Sequence, residues 1–294
     1  MPARARSIGP GPLLLASVAS AEEAALALGA GAAVIDLKDP RRGPLGACRS
    51  ATLRAARRRC VDLDPTRPMS AAAGPAGLPG AAQVASQAAR LGYAFVKCGL
   101  EGIATPAAAL QALQRVGRVA RAASPGIRLI AATYADAERV QALPPALLPA
   151  VAARAGFDGC LLDTATKEGA GLLDLCPAES VAAFVAACHR EGLLCALAGS
   201  LRPGALRRAP ALLDADFIGA RGALCDGGRA GRISVVRVRR FALALATAAA
   251  ARPGVAHRPP ARRSPEADVA RTADRRPPVA PGLPIRSRRA PARS

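Results

Sequence analysis

Aromatic residues and histidine are scarce in this chain of 294 residues. It has no tryptophan, two tyrosines, five phenylalanines and two histidines. His189 lies in a predicted outer helix and His257 near the C-terminus, so neither a Ser-His-Asp triad nor a His-ligated metal site is available. No G-x-G-x-x-G sequence follows the first predicted strand, which argues against a dinucleotide fold. We therefore expect no metal and no bound cofactor.

Lysine is almost absent, although the chain is strongly basic. Of 41 basic residues only Lys38, Lys97 and Lys167 are lysines, and the other 38 are arginines. An amine can lose its proton, attack a carbonyl and form an imine, which a guanidinium cannot do. The three lysines therefore indicate positions where amine chemistry or a compact charge is needed.

The eight cysteines are scattered and form no C-x-x-C pair, which excludes the common zinc-ribbon and redox motifs. Several fall in predicted strands, where cysteine is typically a small buried hydrophobe, and this favours a reducing, cytoplasmic location. No apolar run approaches the ~20 residues of a membrane span. Residues 13–20 imitate a secretory signal, but the run is short and contains two serines, so we interpret it as a first strand.

Strand and helix patterns alternate eight times between residues 13 and 250. The predicted strands are short and apolar throughout, as in a parallel sheet covered by helices. Eight strand-helix units over about 250 residues predict one α/β domain, a single (β/α)8 TIM barrel, with a doubly wound open sheet as the alternative. Residues 1–12 are a predicted disordered lead and 251–294 a predicted disordered Arg/Pro-rich tail.

The net charge of +20 is shared between the barrel and the tail. Residues 251–294 carry 11 arginines, nine prolines and three acidic residues, which leaves +12 on the first 250 residues. A basic surface suits anionic small molecules and nucleic acid equally well.

The lysines and several aspartates fall at predicted strand ends. Asp36 and Lys38 lie two residues apart at the end of the second strand, so they share a face. Lys97 is placed at the end of the fourth strand, and Asp163 at the end of the sixth, four residues before Lys167. Active sites of these barrels lie at the carboxyl ends of the strands. We therefore expect one mouth with amines for nucleophilic attack and carboxylates for proton transfer, Asp136 after the fifth strand among them.

Glycine-rich loops follow the last two predicted strands. Loops at these positions of the barrel frequently bind phosphate through backbone N–H groups. The sequence therefore predicts a phosphate site that includes Gly199, Ser200, Arg221, Gly222, Gly227 and Gly228.

Several segments resemble the (5-formylfuran-3-yl)methyl phosphate synthase family, whose product is also called 4-(hydroxymethyl)-2-furancarboxaldehyde phosphate (4-HFC-P). The most specific are Ile-Asp-Leu-Lys-Asp-Pro at 35–40 and Leu-Leu-Asp-Thr-Ala-Thr-Lys at 161–167. Others lie at 14–18, 96–100, 134–136, 197–201 and 219–225. The resemblance covers about residues 13–245 and leaves out the tail. The loop at 70–75 departs from the family pattern because no acidic residue follows its glycine.

The resemblance implies a (β/α)8 lyase in methanofuran-type cofactor biosynthesis. Such an enzyme condenses two molecules of glyceraldehyde 3-phosphate into the furan aldehyde phosphate, with loss of phosphate and water. By resemblance Lys38 forms the imine, Lys167 and Asp163 are a second catalytic pair, and Asp36 and Lys97 orient the amine and hold substrate.

Two alternatives stay open at this point. One is a different imine-forming aldolase acting on a sugar phosphate. The other is a basic protein that binds nucleic acid through its tail, with few aromatic rings for base stacking. The sequence also leaves open whether the chain forms a homo-oligomer.

Overall fold

The computed structural model describes residues 11–166 and 169–252. Most of the predicted lead, all but two residues of the predicted tail, and Lys167 lie outside this part. Eight strands form the central sheet, and all eight start within one residue of the position predicted from the sequence: β1 Leu13–Val18, β2 Val34–Leu37, β3 Met69–Pro75, β4 Phe95–Gly99, β5 Arg128–Tyr134, β6 Gly159–Asp163, β7 Leu194–Leu197 and β8 Phe217–Ala220.

Helices follow the strands throughout the described part of the chain. Two of them, α6 and α8, have only four residues each. The helices are α1 Ala21–Gly29, α2 Ser50–Leu63, α3 Pro79–Arg90, α4 Pro106–Ala123, α5 Leu148–Arg154, α6 Leu172–Leu175, α7 Ala178–Arg190, α8 Ala205–Arg208 and α9 Val235–Ala250. Two-residue strands, β9 Cys225–Asp226 and β10 Arg232–Ile233, form an antiparallel hairpin after β8.

The eight central strands close into a parallel barrel in sequence order. β1 pairs with β2 on one side, and Leu13 of β1 is in register with Phe217 of β8 on the other. The (β/α)8 prediction is therefore confirmed, and the open sheet is wrong because its edges would have stayed unpaired.

Side chains alternate between the two faces of each strand. The outward residues pack under the helices in one large apolar cluster. The inward residues form a second cluster that includes Leu15, Ile130 and Phe217. Phe95 and Phe217 meet edge to face, with ring centroids 5.7 Å apart. The barrel interior is therefore a packed core in its lower part, as this fold requires.

Helix α1 begins with a side-chain cap. The Ser20 hydroxyl accepts a hydrogen bond from the Glu23 N–H (3.2 Å), as the capping-box pattern predicts. The sequence pattern predicts a helix over residues 145–155, but this segment begins with a 3-10 turn at Pro145–Leu147. Pro149 has no N–H to donate to residue 145, so the α-helical pattern starts only at Leu148. None of the helices in the described ranges is long and apolar enough to cross a membrane.

Candidate active site

Lys38 directly follows β2 and lies at the mouth of the barrel. Its side chain is only 5% exposed. Together with Ser17 and Asp163 it lines a cavity of about 900 Å³. A lysine and an aspartate from β2 and β6 therefore face one cavity, as the strand-end pattern predicts.

Asp36 lies one inward position below Lys38 and pairs with Lys97. The Asp36 Oδ2 atom is 2.7 Å from the Lys97 Nζ atom, and the two side chains are 0% and 4% exposed. The same oxygen accepts a hydrogen bond from the Ser17 hydroxyl (2.9 Å). Lys97 is the middle residue of β4 and not its end, since this strand continues to Gly99. It therefore lies deeper in the barrel than predicted.

Asp163 ends β6, and its Oδ1 atom accepts a hydrogen bond from the Thr164 N–H (2.8 Å). The carboxylate is 1% exposed. Lys167, the predicted partner of Asp163, lies outside the described residues.

Asp136 binds the chain segment just before Lys167. It accepts hydrogen bonds from the N–H groups of Ala165 (2.6 Å) and Thr166 (2.9 Å), and from the Thr166 hydroxyl. Burial raises the pKa of Asp136, but these hydrogen bonds more than offset that effect, so the pKa lies below its ordinary value. Asp136 therefore stays ionised and fixes this loop.

The loop after β7 reaches the cavity through Gly199 and Ser200. Gly199 has a φ of +103°, and a Cβ there would lie 2.8 Å from Thr164 Cγ2, so glycine is required. Ser200 also adopts a left-handed conformation, with a φ of +54°. This turn brings backbone close to the cavity, as the predicted phosphate site needs.

Arg221 follows β8 and is saturated by protein partners. Its Nη1 atom donates to Glu23 Oε2 (2.8 Å) and to the Ser17 carbonyl (3.2 Å). The guanidinium also donates to the carbonyls of Arg229 (2.9 Å) and Gly231 (3.2 Å). Arg221 lines the cavity, but its hydrogen bonds hold the β9–β10 hairpin against β1. This geometry fits a positioning residue better than a direct phosphate ligand.

The other predicted phosphate residues divide in two groups. Gly222 and Gly228 line the cavity. Gly227, in the left-handed turn just before Gly228, is not among the lining residues.

The cavity carries arginines that the sequence analysis did not single out: Arg202, Arg207, Arg208 and Arg229. Arg229 donates to the Gly43 carbonyl (3.3 Å) and so connects the loops after β8 and β2. Burial lowers the pKa of Arg229, and the nearby Asp163 acts in the opposite direction. The many arginines in the loops after β7 and β8 are the sequence feature from which these cavity residues could have been predicted.

His189 lies at the opposite end of the barrel from this cavity. Its Nε2 atom is 3.2 Å from Asp216 Oδ2, just before β8 begins. In the described part of the chain, no group of three His, Cys, Asp or Glu side chains is arranged to hold a metal ion.

Burying lysine and aspartate costs hydration energy, so evolution rarely places them in a barrel without a chemical use. Here they gather at the end of the barrel where enzymes of this architecture bind and convert substrates. The fold and the site therefore define a (β/α)8-barrel enzyme.

Comparisons with known proteins identify the family to which this enzyme belongs. The family model described as 4-HFC-P synthase matches residues 14–242. The chain is 39% identical to the (5-formylfuran-3-yl)methyl phosphate synthase of Methanopyrus kandleri over 242 residues, covering 80% of this chain and 99% of that one. It is 37% identical to the enzyme of the same name from Methanocaldococcus jannaschii, covering 74% and 91%. The chain belongs to the 4-HFC-P synthase family.

The barrel also resembles solved structures of remote sequence. Phosphoribosyl anthranilate isomerase from Thermotoga maritima matches with a TM-score of 0.52 and 16% identity, covering 80% of this chain and 99% of that one. At this identity the likeness shows the fold alone.

Proposed function

We propose that this enzyme condenses two molecules of glyceraldehyde 3-phosphate into (5-formylfuran-3-yl)methyl phosphate through an imine on Lys38. Atom balance requires that one phosphate and two water molecules leave. Family membership supports the product, and the resemblance of the sequence supports its use in methanofuran-type cofactor biosynthesis.

The observation that carries the proposal is the setting of Lys38. Its amine lies in a cavity that also contains Asp163, and only 5% of its side chain is exposed. A buried amine beside a carboxylate can attack an aldehyde and pass protons to and from the resulting intermediate.

The ion pair below Lys38 supports an orienting role for Asp36 and Lys97. Because Asp36 is held by both Lys97 and Ser17, its carboxyl group stays in one position beneath the nucleophile. Asp163 together with Lys167 is assigned the proton transfers of condensation and ring closure. The backbone turns at Gly199, Ser200, Gly222 and Gly228, supported by Gly227 and Arg221, are assigned to the substrate phosphates.

Borohydride reduction tests the imine. Incubating the enzyme with glyceraldehyde 3-phosphate and borohydride should leave a stable adduct on Lys38, located by peptide mass spectrometry. Lys38→Arg should lose the adduct and at least about 10³-fold of furan formation while the far-ultraviolet circular dichroism stays unchanged. Lys97→Arg, which keeps the charge beside Asp36, is the matched control and should still be labelled at Lys38. An adduct on another lysine, or turnover by Lys38→Arg, would remove Lys38 from this role.

Product analysis tests the reaction itself. With glyceraldehyde 3-phosphate as the sole substrate, each furan aldehyde formed should be accompanied by one inorganic phosphate. An open-chain sugar phosphate without phosphate release would instead assign the chain to ordinary aldol chemistry.

A further inference from the structure

Two oxygen atoms that play no part in the proposed chemistry meet at the ends of β4 and β5. Phe95, Lys97 and Gly99 share the inward face of β4, since Phe95 belongs to the interior cluster. The Glu101 Oε2 atom and the Tyr134 hydroxyl oxygen both lie where a Cβ of residue 99 would be, too close for that atom to fit. Glycine at this position therefore lets a carboxyl group and a phenol approach each other on the inward face of β4, one inward position beyond Lys97.

Apart from their contact with each other, the two oxygens have no hydrogen-bond partner among the described residues. Tyr134 is 0% exposed. Buried polar atoms without a partner are unfavourable for folding and are uncommon outside functional positions. Tyr134 lies on the same face of β5 as the interior residues Ile130 and Ala132. It is in register with Asp163 of β6, which lines the cavity.

The surroundings of this pair raise the pKa of the Glu101 carboxyl group above its ordinary value. Burial is the main cause that raises the pKa of Glu101, and the negative charge of Asp163 on β6 adds to it. Contact with the Tyr134 hydroxyl partly offsets the rise. Burial also raises the pKa of Tyr134, with Glu101, Asp163 and Cys98 acting in the same direction. The groups facing the pair from β4, β5 and β6 therefore favour its neutral form.

We propose that Glu101, supported by Tyr134, is a second acid in the active site that protonates the leaving hydroxyl when the condensed sugar phosphate is dehydrated. This role deepens the proposed function and depends on it. The substrate C–O bond breaks, its electron pair leaves with oxygen, and the oxygen takes the proton of Glu101 to form water. Asp163 takes the proton from the adjacent carbon as the C=C bond forms. Transfer of that proton back to Glu101 restores both carboxyl groups, and the Tyr134 hydroxyl stabilises the carboxylate that exists in between.

Separating imine formation from furan formation tests this role. Glu101→Gln should keep borohydride labelling of Lys38 but lose about 10²-fold or more of furan formation. An intermediate heavier than the furan phosphate by one or two water molecules should accumulate and be visible by mass spectrometry. In the unmodified enzyme, kcat should fall as pH rises through the pKa of Glu101, and Glu101→Gln should lack this alkaline limb. Glu101→Asp should recover part of the rate.

Tyr134→Phe and Gly99→Ala complete the test. Tyr134→Phe should lower furan formation less than Glu101→Gln does. Gly99→Ala should lower furan formation as much as Glu101→Gln, because a Cβ at residue 99 displaces both oxygens. Full furan formation by Glu101→Gln, with Lys38 still labelled, would overturn the acid role alone. If Glu101→Gln loses both the labelling of Lys38 and turnover, Glu101 has a purely structural role, and this result would overturn the acid role as well. Absence of labelling in the unmodified enzyme would instead overturn the imine on Lys38.

Discussion

Asp36 and Lys97 form an ion pair inside the barrel, one inward position below the lysine that we assign as nucleophile. Both side chains are almost completely buried, and 2.7 Å separates the Asp36 Oδ2 and Lys97 Nζ atoms. The second oxygen, Oδ1, makes no hydrogen bond to any described residue. The pair therefore fixes two opposite charges inside the barrel.

Removing one member of this pair should destabilise the protein strongly. Lys97→Met and Asp36→Asn should each lower the free energy of unfolding by roughly 3–5 kcal/mol, because the remaining group is left buried without its partner. The double variant should lose less than the sum of the two. Urea denaturation measures these values. Arg237→Met, which breaks a largely exposed pair with Asp226, is the control and should change stability by less than about 1 kcal/mol. Equal effects in core and surface variants would contradict the prediction.

Asp136 should make the loop before Lys167 sensitive to acid. Its pKa is lowered in the folded protein, so its stabilising contribution is complete above the ordinary aspartate pKa of about 4 and is lost as pH falls below that value. Asp136→Asn should reduce turnover at neutral pH, since an amide cannot accept from both the Ala165 and Thr166 N–H groups with two oxygens. It should also flatten the fall of unfolding free energy below about pH 4.

Unfolding curves from about pH 3 to pH 6, recorded for Asp136→Asn and the unmodified protein, provide the measurement. Asp174→Asn is a useful comparison because Asp174 accepts a hydrogen bond from the Gly171 N–H in the next loop (2.8 Å). If Asp136→Asn and the unmodified protein lose the same unfolding free energy on acidification, Asp136 does not contribute as described.

Arg221 should be irreplaceable by lysine. A single ammonium group cannot bind both Glu23 oxygens and the three carbonyls that the guanidinium reaches. We expect Arg221→Lys to lower the unfolding free energy by about 1.5–3 kcal/mol and to raise KM for glyceraldehyde 3-phosphate several-fold, since the β9–β10 hairpin loses its anchor. Arg237→Lys at the exposed pair is the matched control. A selective loss of kcat with unchanged KM and stability would point to direct chemistry instead.

The basic tail should be dispensable for catalysis. Its composition alone supports this prediction, because the tail lies outside the described residues. A chain ending at residue 252 should form the furan aldehyde at the unchanged rate. If the tail binds nucleic acid, its removal should abolish a strongly salt-dependent affinity, measurable by fluorescence anisotropy in increasing salt concentration. A large drop in turnover on truncation would show that the tail contributes to catalysis and would contradict this prediction.

Sequence patterns were sufficient for the barrel but not for its small additions. Eight apolar runs separated by helical periodicity predict both the strand number and closure. The β9–β10 hairpin was missed because two-residue strands have no periodicity. The four-residue helix α6 was missed because it is too short to show a helical period.

The site was predictable where it depends on strand alternation. Asp36 and Lys38 face the same side because they are two residues apart, and this needs no tertiary information. Arg221 and Glu23, in contrast, meet across 198 positions of sequence. Nothing local in the loop after β8 indicates that its arginine is already occupied. The contact of Glu101 with Tyr134 depends on a missing Cβ in a third residue, which only coordinates reveal.

The edge-to-face contact of Phe95 and Phe217 closes one end of the barrel to substrates and products. These rings and their apolar neighbours fill the barrel beneath the Asp36–Lys97 pair. In the reaction that we propose, phosphate and water therefore leave through the same opening by which both trioses enter, as far as the described part of the chain is concerned. A high concentration of inorganic phosphate should therefore slow turnover, because it competes with the substrate phosphates for the same cavity.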